Sequence, residues 1–285
     1  MAIICRPPGP SKEEAGTPAP ALDAGGTDGY NQPGKGAGAV VIDIHTHLGR
    51  GEPDGDRLQR DLLPELLLRI MDEAGVERSV IFPVTYRDYR RAIEELAGYR
   101  EEHPDRFILF GRVGNTPEAA DIVRWAYETH GIKGCKFHHG LDRFEEDSPH
   151  LLEALAACQE LGLVAIFDAF DRNAFKVSPL AGRFPRLTII MAHMGGLWKL
   201  EAIDHCIETA RKHPNVMLDT AAIVLFQEIE RAAREIGAER ILFGSDAPGI
   251  HPGPEKAKIE YLHLSAEEKA LILGGNAARL LGIET

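Results

Sequence analysis

The chain has 285 residues, with 32 Lys and Arg against 44 Asp and Glu, a formal charge of −12. That length suits one barrel domain or two smaller domains, and the acidic balance argues against nucleic acid or an anionic membrane as the main partner, since either favours a basic patch. No apolar run approaches a membrane span, no signal-peptide core follows the first residues, and the scattered Cys5, Cys135, Cys158 and Cys206 read as reduced thiols of a cytoplasmic protein.

Residues 1–39 are rich in Gly, Pro, Ala and Asp and show no hydrophobic periodicity, so a disordered tail is expected there. The folded part is expected over residues 40–285. It opens with a β-branched run that ends in His45 and His47. On an alternating strand, Ile42 and Ile44 face one way, and Asp43, His45 and His47 the other. Two imidazoles that close suit one divalent metal; the plainer reading is two solvated loop histidines.

A helix is expected over 58–74, with Leu62, Leu66 and Ile70 four apart. Strand 79–84 follows, then a charged amphipathic helix over 86–102, strand 107–113, helix 117–129 stopped by Gly131, and strand 132–138. The second half repeats the rhythm: helix 151–160, strand 163–168, a short helix over 178–183, strand 187–193, helix 197–212, strand 216–219, helix 225–236 and strand 240–246. Two helices close the chain at 266–273 and 277–281. Eight strands alternating with helices predict a single (β/α)8 barrel. A doubly wound sheet fits less well, because no Gly-rich nucleotide fingerprint follows the first strand.

Active sites of such barrels sit at the carboxyl ends of the strands. His45 and His47 fall there on the first strand, Lys136, His138 and His139 on the fourth, Asp168 on the fifth, His193 on the sixth and Asp246 on the eighth. Polar groups closing apolar strands need hydrogen bonds, partners or a metal. Asp246 reads as a helix cap or as a metal ligand and proton acceptor. His193 reads as a satisfied rim histidine or as the group that activates a nucleophile. Lys136 and His138 read as a rim pair or as a site for a substrate anion. Arg87 can help hold a substrate carboxylate, and His251, after the eighth strand, is a candidate substrate contact. Cys135 beside Lys136 has no base paired with it in sequence.

The motifs IDIHTH, GIKGCKFHH, LTIIMAHMGG, ILFGSDAP and LGGNAARLLG, in that order over residues 40–285, resemble the amidohydrolase-related branch of the amidohydrolase superfamily. That branch includes aminocarboxymuconate-semialdehyde and related decarboxylases, lactone hydrolases and other metal-dependent hydrolases. The resemblance implies His45, His47 and Asp246 as metal ligands, His193 as the histidine working beside the metal, and a homodimer. It also implies a histidine ligand at the end of the fifth strand, where this chain has Asp168. A carboxylate there still binds zinc but also favours manganese.

The expected activity is a metal-dependent hydrolase with one divalent ion, zinc or manganese, held by His45, His47, Asp168 and Asp246. It would act on the amide or lactone carbonyl of a small carboxylated molecule. A non-oxidative decarboxylase on the same rim is the alternative. A metal-free lactonase or a ligand-binding barrel without catalysis is the third reading.

Overall fold

The computed structural model describes residues 40–55 and 57–284, so the tail expected over 1–39 lies outside the described residues. Nine strand segments carry the fold: β1 (Ile42–Leu48), β2 (Arg78–Pro83), β3 (Phe107–Leu109), β4 (Gly111–Arg112), β5 (Gly134–Phe137), β6 (Val164–Asp168), β7 (Ile189–Ala192), β8 (Val216–Asp219) and β9 (Ile241–Leu242). All pair in parallel, in the orders β1-β2-β3 and β4-β5-β6-β7-β8-β9. β3 and β4 are one strand interrupted at Phe110, whose N–H donates to the Ile81 carbonyl at 3.0 Å. At the other seam Ile44 N–H donates to Phe243 O (2.9 Å) and Asp246 N–H to His45 O (2.9 Å). These bonds close an eight-stranded parallel barrel, as the alternation predicts.

The helices are α1 (Pro64–Ala74), α2 (Tyr89–Glu102), α3 (Ala119–His130), α4 (His139–Asp142), α5 (Pro149–Leu161), α6 (Asn173–Arg183), α7 (Leu200–Lys212), α8 (Gln227–Ile236), α9 (Pro252–Glu260), α10 (Ala266–Ala270) and α11 (Asn276–Leu281). Among the described residues no helix is long and apolar enough to cross a membrane. Four helices differ from the sequence reading. α1 begins at Pro64 rather than at residue 58, which lies in a separate short turn, Arg57–Gln59. α9 begins at Pro252 and holds Pro254, in a stretch to which the sequence reading assigned no helix; in the first turn the missing N–H of proline has no intrahelical partner to lose. α6 starts at Asn173 and runs through Pro179. α4 is a single short turn after β5, capped by the His138 side chain.

Two apolar layers follow from strand alternation. Ile42, Ile44, Val80, Phe82, Ile166, Ile190 and Leu242 fill the barrel, with Ala277, Ala278 and Leu281 of α11 packed against them. Their neighbours along the strands, such as Ile81, Phe167, Met191 and Leu218, pack outward against the helices. Gly274 shows why the closing motif needs glycine, since a Cβ there would lie 1.9 Å from the Val40 carbonyl oxygen.

The first strand departs from strict alternation. Asp43 pairs with Ser79 but Thr46 with Ile81, so β1 holds one extra residue between them. This bulge resets the face. Ile42 and Ile44 point into the barrel, and beyond the bulge His45 and His47 take over the same interior face, where both rings pack edge-on against Phe82. The sequence reading put the two isoleucines and the two histidines on opposite faces; the extra residue brings them to one.

Candidate functional site

The barrel mouth is organised around the fully buried His45. Its Nδ1 is 2.8 Å from Asp219 Oδ2, and its Nε2 is 3.0 Å from Lys136 Nζ and 3.5 Å from Asp246 Oδ1. His47 Nε2 is 3.0 Å from the same Asp246 oxygen, and its buried Nδ1 has no hydrogen-bond partner among the described residues. Gly244 makes room for this arrangement, because a Cβ there would come within 2.9 Å of His45 Cβ.

A second group lies alongside. His193 Nδ1 is 3.0 Å from the Ala221 carbonyl oxygen, which fixes the ring. Its Nε2 is 3.7 Å from Asp168 Oδ1, while His138 Nε2 is 3.8 Å from Asp168 Oδ2. Asn173 also donates to Asp168 Oδ2, at 2.5 Å. Asp168 is thus held between two imidazoles. The His193 ring stands 4.7 Å from that of His45, which joins the two groups.

The backbone at the strand ends is left-handed at two non-glycine site residues, His193 (φ 62°) and Asp246 (φ 69°). Such positions cost of order 1–3 kcal/mol each and persist where neighbours hold them. Asp219 Oδ1 accepts from the His193 N–H at 2.9 Å, and Asp246 N–H is pinned on His45 O. Asp43 braces the same seam: it accepts from the backbone N–H of His45 and Ser245, both at 3.0 Å, and from the Ser245 hydroxyl.

Electrostatics follow from burial. Desolvation first, then the Lys136 ammonium, hold the His45 imidazole well below its ordinary range. Burial also lowers His47, against the opposing pull of Asp246, and brings His138 down to about 4. The Lys136 ammonium is lowered by burial, partly restored by Asp168, Asp219 and Asp246. Burial pushes Asp246 up, but the His47 hydrogen bond and the charges of His47, His45 and His193 outweigh it and hold the carboxyl well below its ordinary range. Asp168 is likewise lowered: His138, His193 and Lys136 overcome its burial.

Asp43 goes the other way, raised by burial to about 7 from about 3.9 in an unfolded chain. Folding therefore tightens its proton; the contribution is full below about pH 4 and is lost as pH rises through about 7. Asp43→Asn keeps the acceptor oxygen for both backbone N–H groups and removes the buried charge. Urea unfolding is expected to show the variant gaining on wild type by up to about 4 kcal/mol between pH 4 and pH 8. An identical difference at both pH values would refute the assignment.

Among the described residues, two sets of three donors lie close enough to hold an ion: His45, His47 and Asp246, and His45, His193 and Asp219, each with ligand atoms within 4.8 Å of one another. In a tetrahedral zinc site, ligands about 2.0 Å from the ion lie roughly 3.3 Å apart. The 3.0 and 3.5 Å separations from Asp246 Oδ1 to the two Nε2 atoms fit that spacing. Asp168 falls in neither set.

The structure thus brings His45, His47, Lys136, His138, Asp168, His193 and Asp246 to one barrel mouth. It does not bring in Arg87 or His251. Arg87 is exposed and pairs with Asp54 (2.5 Å) and Glu52, on the wall of a cleft of about 530 Å³ that Tyr89, Asp142 and Arg143 also line. The His251 ring is bound at both nitrogens, Nε2 3.0 Å from Glu73 and Nδ1 accepting from Gly253 N–H at 3.1 Å. Sequence reasoning overlooked Asp219, although it closes the apolar strand Val216–Asp219 just as Asp168 closes its own. It also overlooked Arg112, fully buried at the end of β4 and paired with Asp142.

A closed parallel barrel with histidines and carboxylates gathered at the carboxyl ends of its strands is the architecture of a barrel enzyme. This chain belongs to the amidohydrolase family, whose model matches residues 42–283. Over 119 residues it is 30% identical to the gamma-resorcylate decarboxylase of Polaromonas sp. (strain JS666 / ATCC BAA-500); the match spans about a third of each protein, 36% of this chain and 36% of the relative. The fold is similar to that of 5-carboxyvanillate decarboxylase from Sphingomonas paucimobilis, at TM-score 0.67 and 18% identity, covering 87% of this chain and 100% of that one. It is also similar to an amidohydrolase from Burkholderia multivorans with bound zinc, at TM-score 0.71 and 20% identity, covering 86% and 100%.

Proposed function

We propose that this enzyme removes carbon dioxide, without oxidation, from a small aromatic acid, assisted by one divalent metal. The observation that carries this reading is the similarity to gamma-resorcylate decarboxylase. It moves the conclusion from the hydrolase that the motifs suggest to the decarboxylase alternative.

His45, His47 and Asp246 are the residues that would hold the ion, zinc or manganese, for the donor spacing given above. When bound, the ion supplies positive charge that fixes the substrate's oxygens and stabilises negative charge developing on it. Asp168, already engaged by His138, His193 and Asn173, serves those side chains; the three-donor set does not need it as a fourth ligand.

Lys136 and His138 face the site from the end of β5 and bind the substrate carboxylate, the buried ammonium by charge and His138 at Nε2. His193 Nε2 delivers a proton to the ring carbon that bears the carboxylate, with the ionised Asp168 beside it to stabilise the protonated imidazole, which regains its proton from solvent. The carbon–carbon bond then breaks, its electron pair goes to the ring, and carbon dioxide leaves; acid anion plus proton becomes arene plus carbon dioxide. The loops after β6, β7 and β8 leave Phe170, Trp198, Val224 and Phe226 partly exposed, and the Phe170 ring stands 6.4 Å from that of His193. This apolar half of the rim suits an aromatic body.

Hydrolysis of an amide or lactone carbonyl is the second reading. One observation favours it: Asp246 is held ionised, which suits a base taking a proton from attacking water better than an acid. The test is to load the protein with zinc or manganese and incubate it with gamma-resorcylate and 5-carboxyvanillate. Carbon dioxide and the decarboxylated arene are expected in equal amounts. No release from any aromatic acid, together with turnover of a lactone or amide panel, would replace this reading with the hydrolase.

A further inference from the structure

Asp219 has no exposed surface and no part in the chemistry above, yet it holds two of the site histidines, His45 and His193. Its Oδ2 is 2.8 Å from His45 Nδ1, and its Oδ1 accepts the backbone N–H groups of His193 (2.9 Å) and Ala221 (3.1 Å). A buried carboxylate is costly unless its oxygens are satisfied, and here both are committed to neighbours. The His193 Nδ1 is likewise committed, to the Ala221 carbonyl oxygen. An ion taken between Asp219 Oδ2 and His45 Nδ1 would have to replace the 2.8 Å bond between them, whereas the His45 Nε2 faces Asp246.

We propose that Asp219 is a positioning residue that fixes the tautomer of His45. A carboxylate facing Nδ1 demands the proton there. The Lys136 ammonium, 3.0 Å from Nε2, demands a lone pair on the other nitrogen. Both neighbours select the same form, Nδ1–H with a free Nε2 lone pair, and Nε2 is the atom that faces Asp246 and the ion. Outer hydrogen bonds of this kind orient a ligating imidazole and raise its donor strength.

This inference rests on the metal reading given above, but it can be tested apart from it. Asp219→Asn keeps the shape of the side chain. The two backbone N–H groups still require its oxygen, so the amide NH2 must face His45 Nδ1. That nitrogen then has to accept, and the His45 proton moves to Nε2, the atom needed for the metal.

The experiment is 15N NMR of the histidine side chains in metal-free protein, with zinc affinity measured by competition against a chromophoric chelator. Wild type is expected to show His45 as Nδ1–H and Asp219→Asn to show Nε2–H. The variant should keep one zinc per chain but bind it about 10- to 100-fold more weakly. An Nε2–H His45 in wild type overturns the proposal even if the variant does not fold. So does an unchanged tautomer in a folded variant, or zinc affinity equal to that of wild type. If wild type takes up no zinc, the metal reading falls, and the two tautomers still decide the role of Asp219.

Discussion

Asp246→Asn is expected to lower turnover by about 10²- to 10⁴-fold and to strip the protein of its metal while leaving the circular dichroism spectrum native. The fold should survive because residue 246 is left-handed, at φ 69°, a conformation asparagine adopts more readily than other side chains. Its backbone bond to His45 O is also untouched. What is lost is one negative charge among three histidines. The neutral amide gives neither the charge that balances an ion nor a strong base. Zinc per chain, measured by elemental analysis, and steady-state turnover check the prediction together. A variant that keeps a full zinc complement and more than about a tenth of the wild-type rate would remove Asp246 from both roles. The same substitution should also change acid sensitivity. Because folding depresses the Asp246 pKa, its contribution to stability is present above the unfolded value of about 3.9 and is lost as pH falls toward the folded one. The variant should lack that part of the acid-induced loss.

Arg112→Met is expected to destabilise the barrel by about 3–5 kcal/mol in urea unfolding. Arg112 is fully buried, and its Nε and Nη2 meet the two oxygens of Asp142 at 3.0 and 3.1 Å. Its Nη1 donates to Pro83 O at 3.1 Å, and Tyr89 donates to Asp142 at 2.5 Å. Removing the guanidinium leaves Asp142 buried with the tyrosine hydroxyl as its remaining close donor among these. The loss is therefore the cost of an uncompensated charge rather than of one contact. The double variant Arg112→Met/Asp142→Leu should recover most of it, since a matched apolar pair carries no such penalty. A single variant within about 1 kcal/mol of wild type would show that water reaches the pair. The substitution also bears on the site. Asp142 ends α4, and α4 is capped by His138, so a loosened Asp142 frees the loop that carries His138.

The fold was legible in the chain because each strand is a short apolar run and each helix has its own periodicity. A lone polar residue closing a strand, such as His193 or Asp246, marks the barrel mouth from the sequence alone. The sequence reading assigned no helix at Pro252, although proline is tolerated in a first helical turn, and began the helix holding Pro179 later than the structure does. Arg87 and His251 were plausible contacts by strand position alone, and their partners, Asp54 and Glu73, come from other loops and helices. Asp219 gave the same strand-end signal as its neighbours, but its meaning lies in touching His45, 174 positions away. By itself the sequence determined the eightfold alternation and most of the rim groups, His45, His47, Lys136, His138, Asp168, His193 and Asp246, because these depend on local period and composition. Only the tertiary structure decided the rest: the bulge that turns His45 and His47 inward, the placing of Asp168 between two imidazoles, and the Arg112–Asp142 pair. These depend on register and closure between distant strands, and the local pattern carries no information about which neighbour a side chain will meet.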